Sequence, residues 1–170
     1  MEYFSPPSLL MDLPAGNAGT AATLQIMHVA AMAGKVSPTI RHQAVILARI
    51  PPAKDYIALA SVMQEFVKRA VHYVPDVSGV ETVQMADYTL KNRAGDCDDQ
   101  SVLLASLLES VGQHTRFVAV GFEQGQFSHV YVQVQPTGSS NWYGAETIVN
   151  QPLGWNPPGV VNSLYLDNWA

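Results

Sequence analysis

The spacing of hydrophobic positions changes once along this 170-residue chain. Up to Gly112 apolar residues recur three and four apart, the spacing of helix faces; beyond it they alternate, the spacing of strands. Residues 20–33, TAATLQIMHVAAMA, predict a helix ended by Gly34 at its C′ position. Ser37 as N-cap and Pro38 in the first turn start a second helix, which Pro51 and Pro52 stop. A third helix starts near Asp55 and collects Leu59, Met63, Phe66, Val67, Ala70 and Val74 on one face. After the linker PDVSG a shorter helical piece is expected around residues 81–90. The last helix carries Leu103, Leu104, Leu107, Leu108 and Val111, ends at Gly112 and has Asp96 or Cys97 at its N-terminus.

The alternating part reads TRFVAVGFE and FSHVYVQVQ, joined by QGQ as an antiparallel hairpin, then WYGAETIV as a third strand. In the second strand Val130, Val132 and Val134 share one face, and Phe127, His129, Tyr131 and Gln133 the other. Helices followed by strands predict an α+β fold with the Cys97 helix laid across an antiparallel sheet. The length fits a single domain over residues 1–170, with a helical part (1–75), a catalytic-type core (76–150) and an irregular tail (151–170) that wraps the surface. The first 18 residues, rich in Pro, Gly and Asn, read as an irregular lead-in.

Composition narrows the class. With 48 % hydrophobic and 14 % charged residues the chain is globular rather than disordered. No run approaches the roughly 18 apolar residues of a membrane span. The first 16 residues lack the basic and apolar regions of a secretory signal, and a single cysteine suits a reducing compartment, so a cytoplasmic protein is expected. Charge is uneven: residues 1–75 hold six Lys/Arg against four Asp/Glu, whereas residues 76–170 hold three against ten. A half that acidic repels phosphate backbones, which argues against a nucleic-acid partner.

Several chemistries lack their motifs: no phosphate-binding glycine loop, no HExxH, no second cysteine for a zinc site and no glycine-bearing calcium loop. No cofactor or metal is expected. What remains is cysteine and histidine. A thiol at a helix N-terminus gains from the helix dipole, and it needs an imidazole within hydrogen-bond reach to act as a nucleophile. Cys97 has the first; His129, mid-strand in FSHVYVQV, is the candidate for the second. Glu146, on the following strand, could orient the ring, giving the order of a thiol triad. Asp96, Asp98 and Asp99 oppose a thiolate by charge, and helix-start stabilisation is their simplest role. The expectation is that a His129 imidazolium outweighs them. Tyr131, Trp142 and Trp155 read as packing residues, and His28, His42, His72 and His114 as surface or helix-face residues.

Taken together, GDCDDQSVLLASLLESVGQHTRFVAVGF, SHVYVQV and WYGAET resemble the transglutaminase-like superfamily, whose fold is related to papain-like cysteine proteases. The matching positions are Gly95-Asp96-Cys97, Gly112, Arg116, His129-Val130-Tyr131-Val132, and Trp142 with Glu146, where the family carries an aspartate. The resemblance spans roughly residues 70–150 and leaves the helical N-terminal half as an accessory layer. It implies Cys97 as nucleophile, His129 as general base and then acid, and Glu146 as orienting carboxylate. It also implies the Cys97 backbone N–H as an oxyanion donor, with Gln84 as the second donor by analogy with papain-like enzymes. The reaction implied is acyl transfer on a peptide or amide bond of a peptide or protein substrate, hydrolysis ahead of transamidation. A second reading is a non-catalytic structural or binding module on the same fold, since such short forms also resemble proteins of prophage gene clusters and phage particles.

Overall fold

The computed structural model describes residues 8–10, 16–76 and 82–169. Its helices are α1 (Asn17–Val36), α2 (Pro38–Leu47), α3 (Tyr56–Ala70), α4 (Ala86–Asn92) and α5 (Cys97–Ser110). Its strands are β1 (Ser8–Leu10), β2 (His72–Tyr73), β3 (Thr82–Gln84), β4 (Ala94–Gly95), β5 (His114–Gly121), β6 (His129–Gln135), β7 (Tyr143–Ala145) and β8 (Asn162–Asp167). The principal sheet is antiparallel in the order β7-β6-β5-β8, and β1–β3 and β2–β4 form small two-stranded pairs. This is the α+β arrangement anticipated from the change of period, with the Cys97 helix packed on the sheet.

Local signals place the helix starts. Ser37 accepts from the Ile40 N–H ahead of Pro38, and Asp55 accepts from the Ala58 N–H at 2.9 Å. Gly34 does not end α1. It lies inside the helix because a Cβ there would sit 2.3 Å from Ser106 Oγ, so the missing side chain lets α1 press against α5. The α2 helix stops at Leu47, short of the prolines. The stretch expected to be helical around 81–90 begins as strand β3 and turns helical only at Ala86. Val74, assigned to the α3 face, lies beyond that helix and is exposed. Of the PDVSG linker, residues 77–79 lie outside the described residues.

The core is built around α5. Every residue from 98 to 109 is buried, polar ones included, so the expected apolar stripe is a helix enclosed on all sides. α1, α2, α3 and α4 cover one side, and β5 and β6 the other. Phe117, Ala119, Val130, Val132 and Val134 point from the sheet into this core. Val118, Val120 and Tyr131 form a smaller cluster on the opposite sheet face, completed by Val160. The tail expected to be irregular instead supplies β8, which pairs with β5 from Arg116↔Asp167 to Gly121↔Asn162 and closes one sheet edge.

Candidate active site

Cys97 opens α5, and the residues around it are accounted for by that helix start. Asp96 is the N-cap: its carboxylate accepts from the Asp98 N–H at 3.1 Å and the Asp99 N–H at 3.3 Å, while Asp99 accepts back from the Asp96 N–H at 3.2 Å. This reciprocal capping box satisfies N–H groups that a helix start leaves orphaned. Asp99 also takes the Gln84 N–H at 2.8 Å, tying β3 to α5. Gly95 is required because a Cβ there would meet Asp99 Cβ at 2.6 Å. Asp98 has a different position. It is 6 % exposed, and the Cys97 thiol lies 3.4 Å from its Oδ1 in donating geometry.

The field at the sulfur runs against the expected thiolate. Burial pushes the thiol well above its ordinary range, and the Asp98 and then the Asp96 charges push it further; the Val130 backbone N–H, which faces the sulfur, works the other way. The resting site therefore holds a neutral thiol rather than a preformed ion pair.

His129 is the first residue of β6 and shares a cavity of about 380 Å³ with Cys97. Its Nε2 lies 2.5 Å from Glu146 Oε2. Glu146 follows β7 directly and is 1 % exposed; its other oxygen accepts from the Thr147 N–H at 2.9 Å and the Ile148 N–H at 3.3 Å. The two backbone donors fix which oxygen faces the imidazole. With Nε2 engaged, Nδ1 is the ring nitrogen left for another partner.

Behind the ring, Tyr131 stacks in parallel at 6.1 Å between centroids. Its hydroxyl donates to Asn156 Oδ1 at 3.0 Å, and the Gln133 amide donates to the same oxygen at 2.8 Å. Arg116 donates two hydrogen bonds to Gln133 Oε1 and packs against Trp142 and Tyr165, 4.3 and 4.6 Å from the ring centroids. Trp142, expected to pack, does so on a guanidinium.

The structure thus brings Cys97, His129 and Glu146 to one place and leaves Gln84 apart. Gln84 is not among the cavity residues, and its side-chain oxygen accepts from the Thr89 hydroxyl at 3.2 Å. Two contributors had no signal in the sequence. Gln64 on α3, 0 % exposed, donates to the Glu146 carbonyl at 2.8 Å and the Gln151 carbonyl at 3.3 Å, holding the acid-bearing segment from 82 residues away. The N-terminal part of α1, with Gly19, Thr20, Thr23 and Met27, forms a wall of the cavity. Asp96, Cys97 and Asp98 also place potential ligand atoms within 4.8 Å of one another. The hydrogen bonds of the helix start engage Asp96, and the thiol engages Asp98, so the set is not assigned as a metal centre. Among the described residues no helix is long and apolar enough to cross a membrane.

No curated protein matches the chain. Two solved structures are similar to it in fold. One is a candidate cysteine protease from Cytophaga hutchinsonii, 15 % identical with a TM-score of 0.51, over 75 % of this chain and 46 % of that one. The other is a candidate protease from Parabacteroides distasonis, 14 % identical with a TM-score of 0.54, over 84 % of this chain and 28 % of that one. The chain therefore spans less than half the length of either. The family model described as the transglutaminase-like superfamily matches residues 46–155, a stretch that takes in α3, the capped Cys97 helix, both hairpin strands and Glu146. The chain belongs to the transglutaminase-like superfamily.

Proposed function

We propose that the protein is a cysteine-dependent acyl-transfer enzyme that cleaves peptide or amide bonds through a Cys97 thioester. The observation that carries this reading is the buried Glu146 carboxylate on Nε2 of His129, whose ring lines a cavity that Cys97 also lines. A carboxylate on Nε2 keeps the proton there and leaves Nδ1 basic. In the reaction His129 takes the thiol proton as the sulfur adds to the acyl carbon, and the tetrahedral oxyanion forms. His129 then gives that proton to the leaving amine as the C–N bond breaks and the thioester is left. Water, activated by the same imidazole, releases the acid and restores the thiol; an amine acceptor would give transamidation instead. The Cys97 backbone N–H at the helix end is the first oxyanion donor in this scheme. Because the resting thiol is neutral, His129 acts as a general base during attack and not as half of a standing ion pair.

The raised thiol favours a second reading, a binding module that keeps the fold without turnover. One experiment separates the two. Incubation with activated acyl esters, followed by intact-protein mass spectrometry, should show one acyl group on Cys97 that is lost with time. Cys97→Ala should take up none and His129→Ala should acylate far more slowly. Wild-type protein that never acylates, or acylates as slowly as His129→Ala, would leave the binding module standing.

A further inference from the structure

The α3 helix carries more apolar surface than the core takes up. Its buried face is Leu59, Ala60, Met63 and Val67, with Gln64 among them. A second row, Val62, Phe66 and Ala70, recurs every four residues and is only half-buried. With Leu47 at the end of α2 and Ile50 in the turn after it, this row lines an open groove of about 540 Å³. Ile50 is 64 % exposed, an isoleucine that the fold leaves in water at the mouth of an apolar groove. The polar residues of the groove leave positive charge uncompensated. Glu65 lines it, but its carboxylate is engaged by Lys68 Nζ at 2.5 Å and Arg69 Nε at 3.5 Å. Arg69 is itself 83 % exposed. Arg93, the C-cap of α4, also lines the groove; its guanidinium is exposed and has no ionic or hydrogen-bonded partner among the described residues. Arg93 has φ 56°, in the left-handed region that glycine occupies without cost. The fold fixes that backbone, since the Arg93 carbonyl accepts from the His72 N–H at 2.9 Å and its N–H donates to the Thr89 carbonyl at 2.8 Å. A long cationic side chain therefore stands where the backbone favours none.

We propose that this groove docks a helical segment of a partner protein, apolar on one face and acidic beside it. Leucine-type anchors of that segment enter between Ile50, Val62 and Phe66, and its flanking carboxylates meet Arg69 and Arg93. Charge complementarity selects this occupant. A second copy of the chain would bring another net charge of −5 toward the first, and its own groove offers cations rather than the carboxylates these arginines lack. A nucleic acid has the phosphates but no apolar side chains to cover the groove. The groove shares no lining residue with the Cys97 cavity, so its occupant is independent of the chemistry proposed there.

The test uses the whole protein and three fluorescent helical peptides of equal length that share one leucine face. Their flanking positions carry glutamate, glutamine or lysine, and polyglutamate of the same length serves as a charge-only probe. Binding is read by fluorescence anisotropy. The glutamate peptide should bind about fivefold tighter than the glutamine peptide, and the lysine peptide weakest, with the preference shrinking as salt rises. Arg93→Gly suits the left-handed backbone, so its melting temperature should match or exceed that of wild type. It should nonetheless bind the glutamate peptide about threefold more weakly and the glutamine peptide equally well. Ile50→Ser should weaken both by about tenfold or more. Failure of all the peptides to bind, equal affinity for the three, polyglutamate binding as tightly as the glutamate peptide, or a glutamate preference unchanged in Arg93→Gly overturns the proposal. Sedimentation supplies the remaining outcome: a wild-type dimer that Ile50→Ser dissociates would give the groove to a second copy and overturn it as well. Should a variant fail to fold, the wild-type ranking of the peptides and its salt dependence decide the matter.

Discussion

Replacing Glu146 by glutamine tests the site most directly, because the structure dictates how the new side chain must sit. One carboxylate oxygen takes the Thr147 and Ile148 N–H groups, and the other faces His129 Nε2. In Glu146→Gln the amide oxygen has to stay with the two backbone donors, so the NH₂ turns toward the imidazole. An NH₂ cannot accept, so Nε2 must give up its proton and become the acceptor, and the proton moves to Nδ1. The basic nitrogen then points away from Cys97. Losing a hydrogen bond to a charged partner costs about 1.5–3 kcal/mol. Losing the general base as well should slow Cys97 acylation by about 10²–10⁴-fold. The side chains are equal in volume and the backbone bonds persist, so the variant should still fold, with a melting temperature lower by several degrees at most. Long-range ¹H–¹⁵N spectra of the imidazole give a readout that needs no substrate: Nε2-protonated in wild type, Nδ1-protonated in Glu146→Gln. A folded variant with the wild-type tautomer, or with acylation within about twofold of wild type, refutes the assignment of Nδ1 as base.

Other changes address how the site is held. Gln64→Leu strips two hydrogen bonds from the Glu146 and Gln151 carbonyls and should lower unfolding free energy in urea by about 1–3 kcal/mol; an unchanged midpoint would count against the bridge. Gly34→Ala sets about 1 kcal/mol of helix propensity against a Cβ 2.3 Å from Ser106 Oγ, and overpacking of about 1–3 kcal/mol should win. A stabilised Gly34→Ala protein would show that α1 can slide off α5 at little cost. The Asp99 carboxyl is pushed up to about 7, by burial first and the Asp96 charge second. Since the unfolded chain loses this proton near 3.9, the protonated group's contribution is complete below about pH 4 and declines as pH rises to about 7, by the order of 2–4 kcal/mol. The unfolding free energy of wild type minus that of Asp99→Asn should fall as pH rises across that window and level off above it; a difference that rises with pH would reverse the sign of the argument.

The helix starts were legible because Ser37, Asp55 and Asp96 act within a few residues of themselves. So was the hairpin, whose alternation comes from the strand geometry. Gly34 was misread because its reason for being glycine lies on Ser106, across the core. The 81–90 stretch was misread because pairing with Ser8–Leu10 overrides its local preference. β8 was missed because a chain rich in turn residues becomes a strand only once β5 offers an edge. Cys97, His129 and Glu146 could be picked out as chemical types in a plausible order. Gln64 could not, since a buried glutamine on an amphipathic helix looks like any other until the segment it holds is in view. The contest at the thiol was legible in its participants but not in its outcome, which depends on how deeply the sulfur is buried.

The enclosure of α5 also sets how the molecule opens. A helix end exposed to solvent frays on its own, and its amides exchange their hydrogens through small local excursions. Here residues 98–109 are buried under four helices and two strands, and the N-terminal turn is closed by a capping box. The amides of this helix can exchange only when the surrounding layers come apart, so their protection factors should report the global unfolding free energy. Cys97 thus rides on the last segment to let go, and loosening elsewhere in the chain leaves its position intact until the whole fold is lost.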